Sequence, residues 1–427
     1  MNKSELGINI EKDVNIHLEN RKESRAFFGF IWVLYAVVFM TKNCYNGALA
    51  SIVSEGVLTK SQTGFITAMF YLVYTPLQIV GGLFSDRFSP ERMIKIGLVG
   101  AATANAVIFL NQNYYVMLAA WMFNGMVQFG IWPSVFKIIS SQLVRSDRTQ
   151  MTFYISFTST AGLLMSYLLA AIVPSWEYNF AFSAIILALF AVVLHIYERH
   201  LNPYMKWDRK EEPAEQTGSK QKTKPDVPTI KILIASGFFF MLISTILAVV
   251  VSQSRSTLAS VMFVENYDNI SPSLGNILTT VLILSGMVGT LIARRMVDKI
   301  HNEIAGTIVI FAVMIPFLIL CSWIGAIPVG IMIALHCIIA CLESVVTLLR
   351  NYYNMHFVKY GKSGTVAGLI NAGTALSFML AAYVMPRIAE LFGWRTLIAI
   401  WPVLILFAIV SLCLAVRTFK RFIEMTF

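Results

Sequence analysis

Long apolar stretches recur along almost the whole chain, separated for the most part by short polar connections. An apolar helix of about twenty residues is long enough to cross the roughly 30 Å hydrocarbon core of a bilayer. The pattern predicts an all-α membrane protein with twelve membrane-spanning helices. We number them spans 1 to 12: 27–51, 61–83, 93–111, 114–139, 150–173, 178–197, 231–264, 274–294, 304–323, 326–349, 364–386 and 395–417.

The spans fall into two sets of six, and the one long polar segment lies between them. This segment is rich in Pro, Lys, Glu, Gln and Thr, so we expect a disordered cytoplasmic linker. Six spans plus six is the layout of transporters built from two repeats. The predicted domains are an N-terminal tail (1–26), an N-terminal bundle (27–197), the linker (198–229), a C-terminal bundle (230–417) and a C-terminal tail (418–427).

Composition and charge agree with a membrane protein. The chain is 57% hydrophobic and 13% charged, with a mean hydropathy of +0.69, whereas soluble domains carry about 25% charged residues. With the N-terminus in the cytoplasm, only Lys60, Arg387 and Arg395 of the 33 Lys and Arg residues fall on the outer side. This asymmetry predicts a multi-pass protein of the cell membrane with both termini cytoplasmic. The net charge of +10 then orients the chain in the lipid bilayer and does not indicate a nucleic-acid partner.

The two halves carry a similar feature at the same place. The loop after span 2 reads GGLFSDRFSPERMIK, with Asp86 followed by Arg87, and the loop after span 8 reads ARRMVDKIHNEI, with Asp298 followed by Lys299. An acid followed by a base just past the second span of each half indicates an internal repeat.

The first of these loops resembles the signature between helices 2 and 3 of the major facilitator superfamily, and with the twelve spans the resemblance covers the whole chain. Gly82, Asp86, Arg87 and Arg92 match, whereas Ser89 and Glu91 stand where a Gly and a base are common. Asp86 follows the negative end of its own helix dipole, so it favours the positive N-terminus of span 11 near Ser363 and Gly364. The resemblance implies that this contact closes the cytoplasmic side. The predicted gating residues are Asp86, Arg87, Arg92 and Asp298.

Three stretches narrow the resemblance within the superfamily. VYTPLQIVGGLFSDR in span 2 resembles the anion:cation symporters. NGMVQFGIWPSVFKIIS in span 4 and GKSGTVAGLINAGTALSF in span 11 are similar to the organophosphate:phosphate antiporters. Both families handle organic anions, so the resemblance implies an organic-anion substrate.

Lys42 is the most conspicuous polar residue of span 1. It lies 15 residues beyond Phe27, about 22 Å along a helix and past the bilayer midplane. A base at this depth costs about 2.5–3.5 kcal/mol to insert, which is tolerable if the side chain faces a wet cavity, as Asn43 and Asn46 nearby suggest. A structural salt bridge and snorkelling towards the outer headgroups remain alternatives.

Span 7, the counterpart of span 1 in the second half, carries Arg255 within the polar stretch SQSRS. Two unpaired bases facing one cavity would repel each other, so we expect Lys42 and Arg255 to bind one anion jointly. The organophosphate antiporters resemble this arrangement, with one base in each of these helices. Two residues depart from the organophosphate antiporters: Gln78 stands in place of a Lys and Ser159 in place of a His. Two depart from the anion:cation symporters, since Thr41 and Gln128 stand in place of acids.

Other polar residues within spans complete the candidate site. Glu343 in span 10 is the one intramembrane acid, and it could carry a proton, pair with Arg255 or Lys42, or pair with Arg350. Gln128 and Trp132, four residues apart in span 4, and Asn371 in span 11 are further substrate-binding candidates.

The sequence therefore predicts a secondary active transporter of a small organic anion: a carboxylate, a sugar acid, or a phosphorylated sugar or polyol. Proton, sodium or phosphate is the expected coupling ion, and we expect a monomer with no cofactor. A transporter-like sensor that binds the anion and signals to a partner is the alternative. Cys337 and Cys341 share a helix face but lack further ligands, so no metal is expected. No arrangement of residues suggests an enzyme.

Overall fold

A computed structural model describes residues 14–87, 89–209, 229–297, 300, 302–357, 360 and 362–424. Within these ranges, the side chains of 14–17, 78–87, 145, 149, 153, 202, 205–209, 296–297 and 363–364 lie outside the described part. Asp298 and the side chains of Asp86 and Arg87 therefore lie outside the described residues, and so does the predicted contact between Asp86 and span 11.

Every predicted span coincides with a helix or a short series of helices. In the first half these are Arg21–Lys42 and Cys44–Ser54, Lys60–Arg87, Pro90–Leu110, Tyr114–Gln128 with Ile131–Lys137, Arg148–Ile155 with Thr158–Ile172, and Glu177–Leu201. In the second half they are Thr229–Ala235 with Phe238–Asn266, Pro272–Val297, Glu303–Cys321, Val329–Met355, and Ser363–Glu424, which holds spans 11 and 12. In the described part of the chain, eight helices are long and apolar enough to cross a membrane. The all-α membrane fold is confirmed.

Two glycines allow the chain to change direction where an L-residue would be strained. Gly393 has φ +79° and separates spans 11 and 12. Gly237 has φ +70° and divides the two helices of span 7. Because glycine lacks Cβ, it adopts this left-handed region at little cost.

Polar residues affect spans 1 and 7 differently. At Asn43 the helix of span 1 is interrupted, and the Asn43 side chain donates a hydrogen bond to the Phe39 carbonyl at 2.8 Å. In span 7 the helix continues through SQSRS, where Gln253 Nε2 donates to Thr257 Oγ1 at 2.7 Å. In span 1 the polar stretch ends the helix, because an Asn side chain satisfies a carbonyl at the helix end. In span 7 the helix continues, because the polar side chains form hydrogen bonds with each other one turn apart.

The first turns of spans 3 and 9 are alike in the two halves. Each helix has a side-chain cap, Ser89 in one half and Asn302 in the other. Each also carries an acid in its first turn, where the helix dipole favours a negative charge. Glu91 accepts a hydrogen bond from Gln142 Nε2 at 2.6 Å. In the second half, Glu303 contacts His356 Nε2 at 2.9 Å.

A small antiparallel sheet joins the N-terminal tail to the end of the first half. Strand β1 (Val14–Leu18) pairs with β2 (Met205–Arg209), with Ile16 opposite Trp207. The segment 198–209 is therefore structured, whereas we expected a disordered linker from residue 198 onwards. Residues 198–201 continue the helix of span 6 and residues 202–204 form a short 3-10 helix. Residues 205–209 pair with a strand about 190 residues away in sequence, which local composition does not reveal. The rest of the linker, 210–228, lies outside the described residues.

The chain forms two compact units. Unit 1 takes its described residues from Met1–Tyr45, Leu72–Ser166 and Pro174–Ser219. Its core holds buried apolar residues of spans 1, 3, 4 and 6, among them Ile31, Leu98 and Leu194.

Near the loop between spans 4 and 5, Arg21 and Arg25 both donate to the Asp147 carboxylate, with closest contacts of 2.6 and 2.9 Å. The Arg21 guanidinium holds the pKa of Asp147 well below its usual range.

Unit 2 comprises Asn46–Tyr71, Tyr167–Val173 and the described residues of Lys220–Phe427. Two stretches that we assigned to the N-terminal bundle thus pack within this unit. Asn276 Nδ2 donates to the Gly47 carbonyl at 2.9 Å, and Lys60 forms a 2.7 Å ion pair with Glu265. The domain boundaries proposed from the sequence remain a prediction.

Gly289→Ala should lower the free energy of unfolding by about 1–3 kcal/mol, the usual cost of overpacking a tight contact. A Cβ at Gly289 would lie 2.5 Å from Cys341 Cα, which is backbone of span 10 and cannot swing aside. Gly286→Ala, one turn earlier in span 8, is the matched control because its Cβ would meet Ser344 Oγ at an ordinary 3.6 Å. Thermal unfolding of the purified variants in nanodiscs makes the comparison, and equal midpoints would contradict the close approach of spans 8 and 10.

Candidate functional site

Lys42 ends the first helix of span 1 and is half-buried in unit 1. Its Nζ lies 3.7 Å from the centroid of the Tyr74 ring and 5.7 Å from that of Phe39. The face of an aromatic ring is negative, so such a contact stabilises an ammonium by about 0.5–2 kcal/mol. Lys42 is therefore held against aromatic rings of its own unit.

The aromatic rings around Lys42 extend to one of the predicted residues. The Tyr35 ring lies 6.1 Å from Phe39 and 5.0 Å from Trp132, centroid to centroid. Trp132 thus belongs to the same aromatic cluster, which consists of Tyr35, Phe39, Tyr74 and Trp132. Two rings of the cluster, Tyr74 and Phe39, face the Lys42 ammonium, and the other two pack behind Phe39.

The predicted amides have partners near them in sequence or are buried. Gln128 is buried and donates to Asn124 Oδ1 at 2.6 Å, one turn earlier in span 4. Asn43 closes the first helix of span 1, as described above, and Asn46 is buried in unit 2. Their proposed contact with a substrate remains a prediction.

Arg255 forms a bidentate ion pair with Glu343 in unit 2. Its Nη2 contacts Oε2 of the carboxylate, Nε donates to Oε1 at 3.3 Å, and Nη1 donates to the His336 carbonyl at 3.4 Å. The side chain of Arg255 is 4% exposed and that of Glu343 is 16% exposed. The expectation that Arg255 is an unpaired cation is therefore wrong. Among the alternatives for Glu343, the structure forms the pair with Arg255.

A cavity of about 230 Å³ lies within unit 2, next to this ion pair. Glu343 and Arg350 of span 10 line it, and Arg255 does not. Hydroxyl and amide side chains form much of its wall: Ser244, Thr245, Ser252, Gln253, Thr307, Thr347 and Thr374. The cavity therefore combines charge with hydrogen-bonding groups, as the binding site of a small polar molecule does.

The remaining predicted residues lie apart from this cavity. Asn371 is exposed on span 11, one turn before the lining residue Thr374. Arg92 is exposed in the first turn of span 3, where its backbone N–H donates to Ser89 Oγ at 3.4 Å. The other three gating residues are not described at the side-chain level, so gating stays a prediction.

Two features of the site were missed from the sequence. The aromatic partners of Lys42 were missed because aromatic residues are frequent in the chain, at 13% of its residues, and none of them stands out by position. The polar face of span 7 had a readable signal, since Ser244, Ala248 and Ser252 recur at four-residue spacing and Thr245, Val249 and Gln253 repeat it one position later. Such spacing places these residues on one helix face.

Comparison with known proteins finds relatives named as a membrane sensor and as hexose phosphate transport proteins. The chain is 21% identical over 291 residues to the membrane sensor protein UhpC of Escherichia coli strain K12, a match covering 64% of each chain and so less than two thirds of the sensor's length. It is 21% identical over 309 residues to a probable hexose phosphate transport protein of Chlamydia trachomatis serovar D, covering 68% of each chain.

The fold has solved counterparts. A bacterial homologue of the human lysosomal transporter Spinster, in an inward-facing and occupied conformation, matches with a TM-score of 0.73, at 14% identity over 94% of this chain and 99% of that one. At this identity the likeness shows the fold alone. The family model of the Major Facilitator Superfamily matches residues 31–372. The chain therefore belongs to the Major Facilitator Superfamily, a family of membrane transporters.

Proposed function

We propose that this protein is a secondary active transporter of a small organic anion, with a phosphorylated sugar as the favoured substrate class. The observation that carries the proposal is Lys42, a cation within a membrane span that is stacked on Tyr74. Intramembrane bases are costly and mark substrate pathways. The relative named for hexose phosphate transport supports the phosphorylated class.

Transport would proceed by alternating access, in which two halves of the protein move around a substrate site. Lys42 would contact the anion directly, whereas Arg255 would act through Glu343. The residues proposed to complete the substrate site are Asn43, Asn46, Gln128, Trp132 and Asn371. Symport and antiport both fit these residues.

A thermal-shift screen tests the substrate class. The purified protein is heated with hexose phosphates, sugar acids, other carboxylates and the matching neutral hexoses, because a ligand that binds the folded state raises the melting temperature with its concentration. We expect hexose phosphates to raise it and neutral hexoses to leave it unchanged. A response to neutral sugars alone would contradict an anion transporter.

Glu343→Gln tests whether this residue couples transport to protons. The neutral amide can still accept a hydrogen bond from Arg255 but cannot carry a proton, so we expect the folded variant to continue substrate exchange while uphill uptake driven by a pH gradient is lost. Because the buried Arg255 loses its charged partner, the variant should also be less stable than the wild type. Both activities are measured in proteoliposomes, with Glu265→Gln, which alters an ion pair away from the cavity, as the control. Wild-type uptake that ignores the pH gradient would eliminate the coupling role.

A membrane sensor is the second candidate function, because one relative is named a membrane sensor protein. A sensor would bind the same anion and change conformation without moving it across the bilayer. Binding and flux must therefore be measured on the same preparation.

A further inference from the structure

The cavity of unit 2 is small and is lined by side chains from spans 7, 9, 10 and 11. Its volume of about 230 Å³ is below the roughly 300–1,000 Å³ of pockets that hold drug-sized ligands. Its occupant is therefore a small molecule. The apolar part of the wall consists mainly of Met241, Phe311, Met314 and Phe378.

The charges in the cavity do not cancel. Glu343 lines the cavity, but its charge is balanced by the ion pair with Arg255, which is not a lining residue. Arg350 also lines the cavity, and its described contact is a hydrogen bond from Nη2 to Thr347 Oγ1 at 3.2 Å. Among the residues that the structure describes, Arg350 forms no ion pair. The cavity thus has a positive end.

Arg350 and the hydroxyl groups occupy different parts of the wall. Span 10 presents Glu343, Val346, Thr347 and Arg350 to the cavity, which places Arg350 two turns, about 10 Å, from Glu343 along the helix. Span 7 contributes a row of hydroxyl and amide groups that includes Ser244, Thr245 and Gln253. A ligand that satisfies both features carries an anionic group at one end and several hydroxyls along its length.

We propose that Arg350 is the anion-binding residue of this cavity and that its ligand is a small sugar or polyol bearing a phosphate or carboxylate. The guanidinium binds either anion through two parallel hydrogen bonds, and the Ser, Thr and Gln side chains bind the hydroxyls. This inference rests on the proposed function and refines it, because it assigns a direct contact with the same class of anion to Arg350 in the cavity of unit 2 and makes Arg255 a positioning residue for Glu343.

The test measures binding of radiolabelled hexose phosphate, hexonate and neutral hexose to the full-length protein in nanodiscs. Arg350→Gln should weaken binding of the two anions by roughly tenfold or more and leave neutral hexose unaffected. Arg350→Lys keeps the positive charge but cannot form two parallel hydrogen bonds with the anion, so it should bind with intermediate affinity. Arg294→Gln, an exposed base on span 8 away from the cavity, is the control and should bind like the wild type.

Thr307→Val tests the hydroxyl part of the site. It should weaken binding of hexose phosphate while leaving inorganic phosphate unchanged, because only the sugar reaches the hydroxyl groups. The relative losses for hexose phosphate and hexonate identify which anion the site prefers. Each variant is compared with its own unliganded melting temperature, which separates loss of binding from loss of folding.

The outcomes separate this inference from the proposed function. If the wild type binds neither anionic sugar, both fail. If the wild type binds the anionic sugars and both Arg350→Gln and Arg350→Lys bind them with wild-type affinity, the anion site lies elsewhere and the proposed function stands. If Arg350→Gln does not fold, full wild-type affinity in Arg350→Lys overturns the two-pronged contact, and intermediate affinity supports it.

Discussion

Replacing Arg255 with Ala should lower the free energy of unfolding by about 3 kcal/mol, the lower end of the range for breaking a buried ion pair. The loss arises because the Glu343 carboxylate keeps its charge without its partner. Partial exposure of Glu343 to the cavity moderates the cost, since 16% of its side chain is accessible. The thermal unfolding midpoint of the purified variant in nanodiscs measures the effect.

A double variant separates the ion pair from other effects of the substitution. Arg255→Met combined with Glu343→Leu removes both charges and keeps similar volumes, so it should recover most of the lost stability. The sequence alone predicts the opposite effect: if Arg255 and Lys42 were two unpaired bases that repel each other, removal of Arg255 would leave stability unchanged or improve it. An Arg255→Ala protein as stable as the wild type would show that the pair is not formed.

Lys42→Ala should weaken binding of hexose phosphate by about 1.5–3 kcal/mol, which is roughly 10- to 150-fold in affinity. The ammonium would otherwise form charge-assisted hydrogen bonds with the anion. Lys42→Arg should also bind less tightly, because the longer, planar guanidinium places its hydrogen-bond donors elsewhere than the compact ammonium of Lys42 does. Binding is measured by titration of radiolabelled ligand.

Lys60→Ala is the matched control for Lys42. Lys60 is a base within a helix of the first half, but its 2.7 Å ion pair with Glu265 gives it a structural role. Its loss should leave affinity for the anion unchanged. Wild-type affinity in Lys42→Ala would leave Lys42 as a residue held by aromatic rings, with no part in binding.

The fold could be predicted from the sequence because bilayer thickness imposes one length on every span. Apolar runs of that length mark the helices without knowledge of their packing. The pairing of β1 with β2 could not be predicted, since its partners are far apart in sequence. The assignment of Asn46–Tyr71 to unit 2 was missed for the same reason, because it depends on contacts such as Lys60 with Glu265.

The candidate site was predicted only in part. Lys42, Arg255 and Glu343 stand out from sequence because ionisable residues are rare within membrane spans. Which of them pair is a matter of tertiary packing, and the sequence left Glu343 as a proton carrier, as a partner of Arg255 or Lys42, or as a partner of Arg350. The structure forms the pair with Arg255 and places Arg350 at the cavity wall.

Counterflow of radiolabelled hexose phosphate into proteoliposomes tests the central claim most directly. Vesicles loaded with unlabelled hexose phosphate should take up the labelled compound saturably when they contain the wild type. Vesicles without protein should take up none, and vesicles with Lys42→Ala should take up much less. Tight binding by the same wild-type preparation without any counterflow would contradict a transporter and favour a sensor.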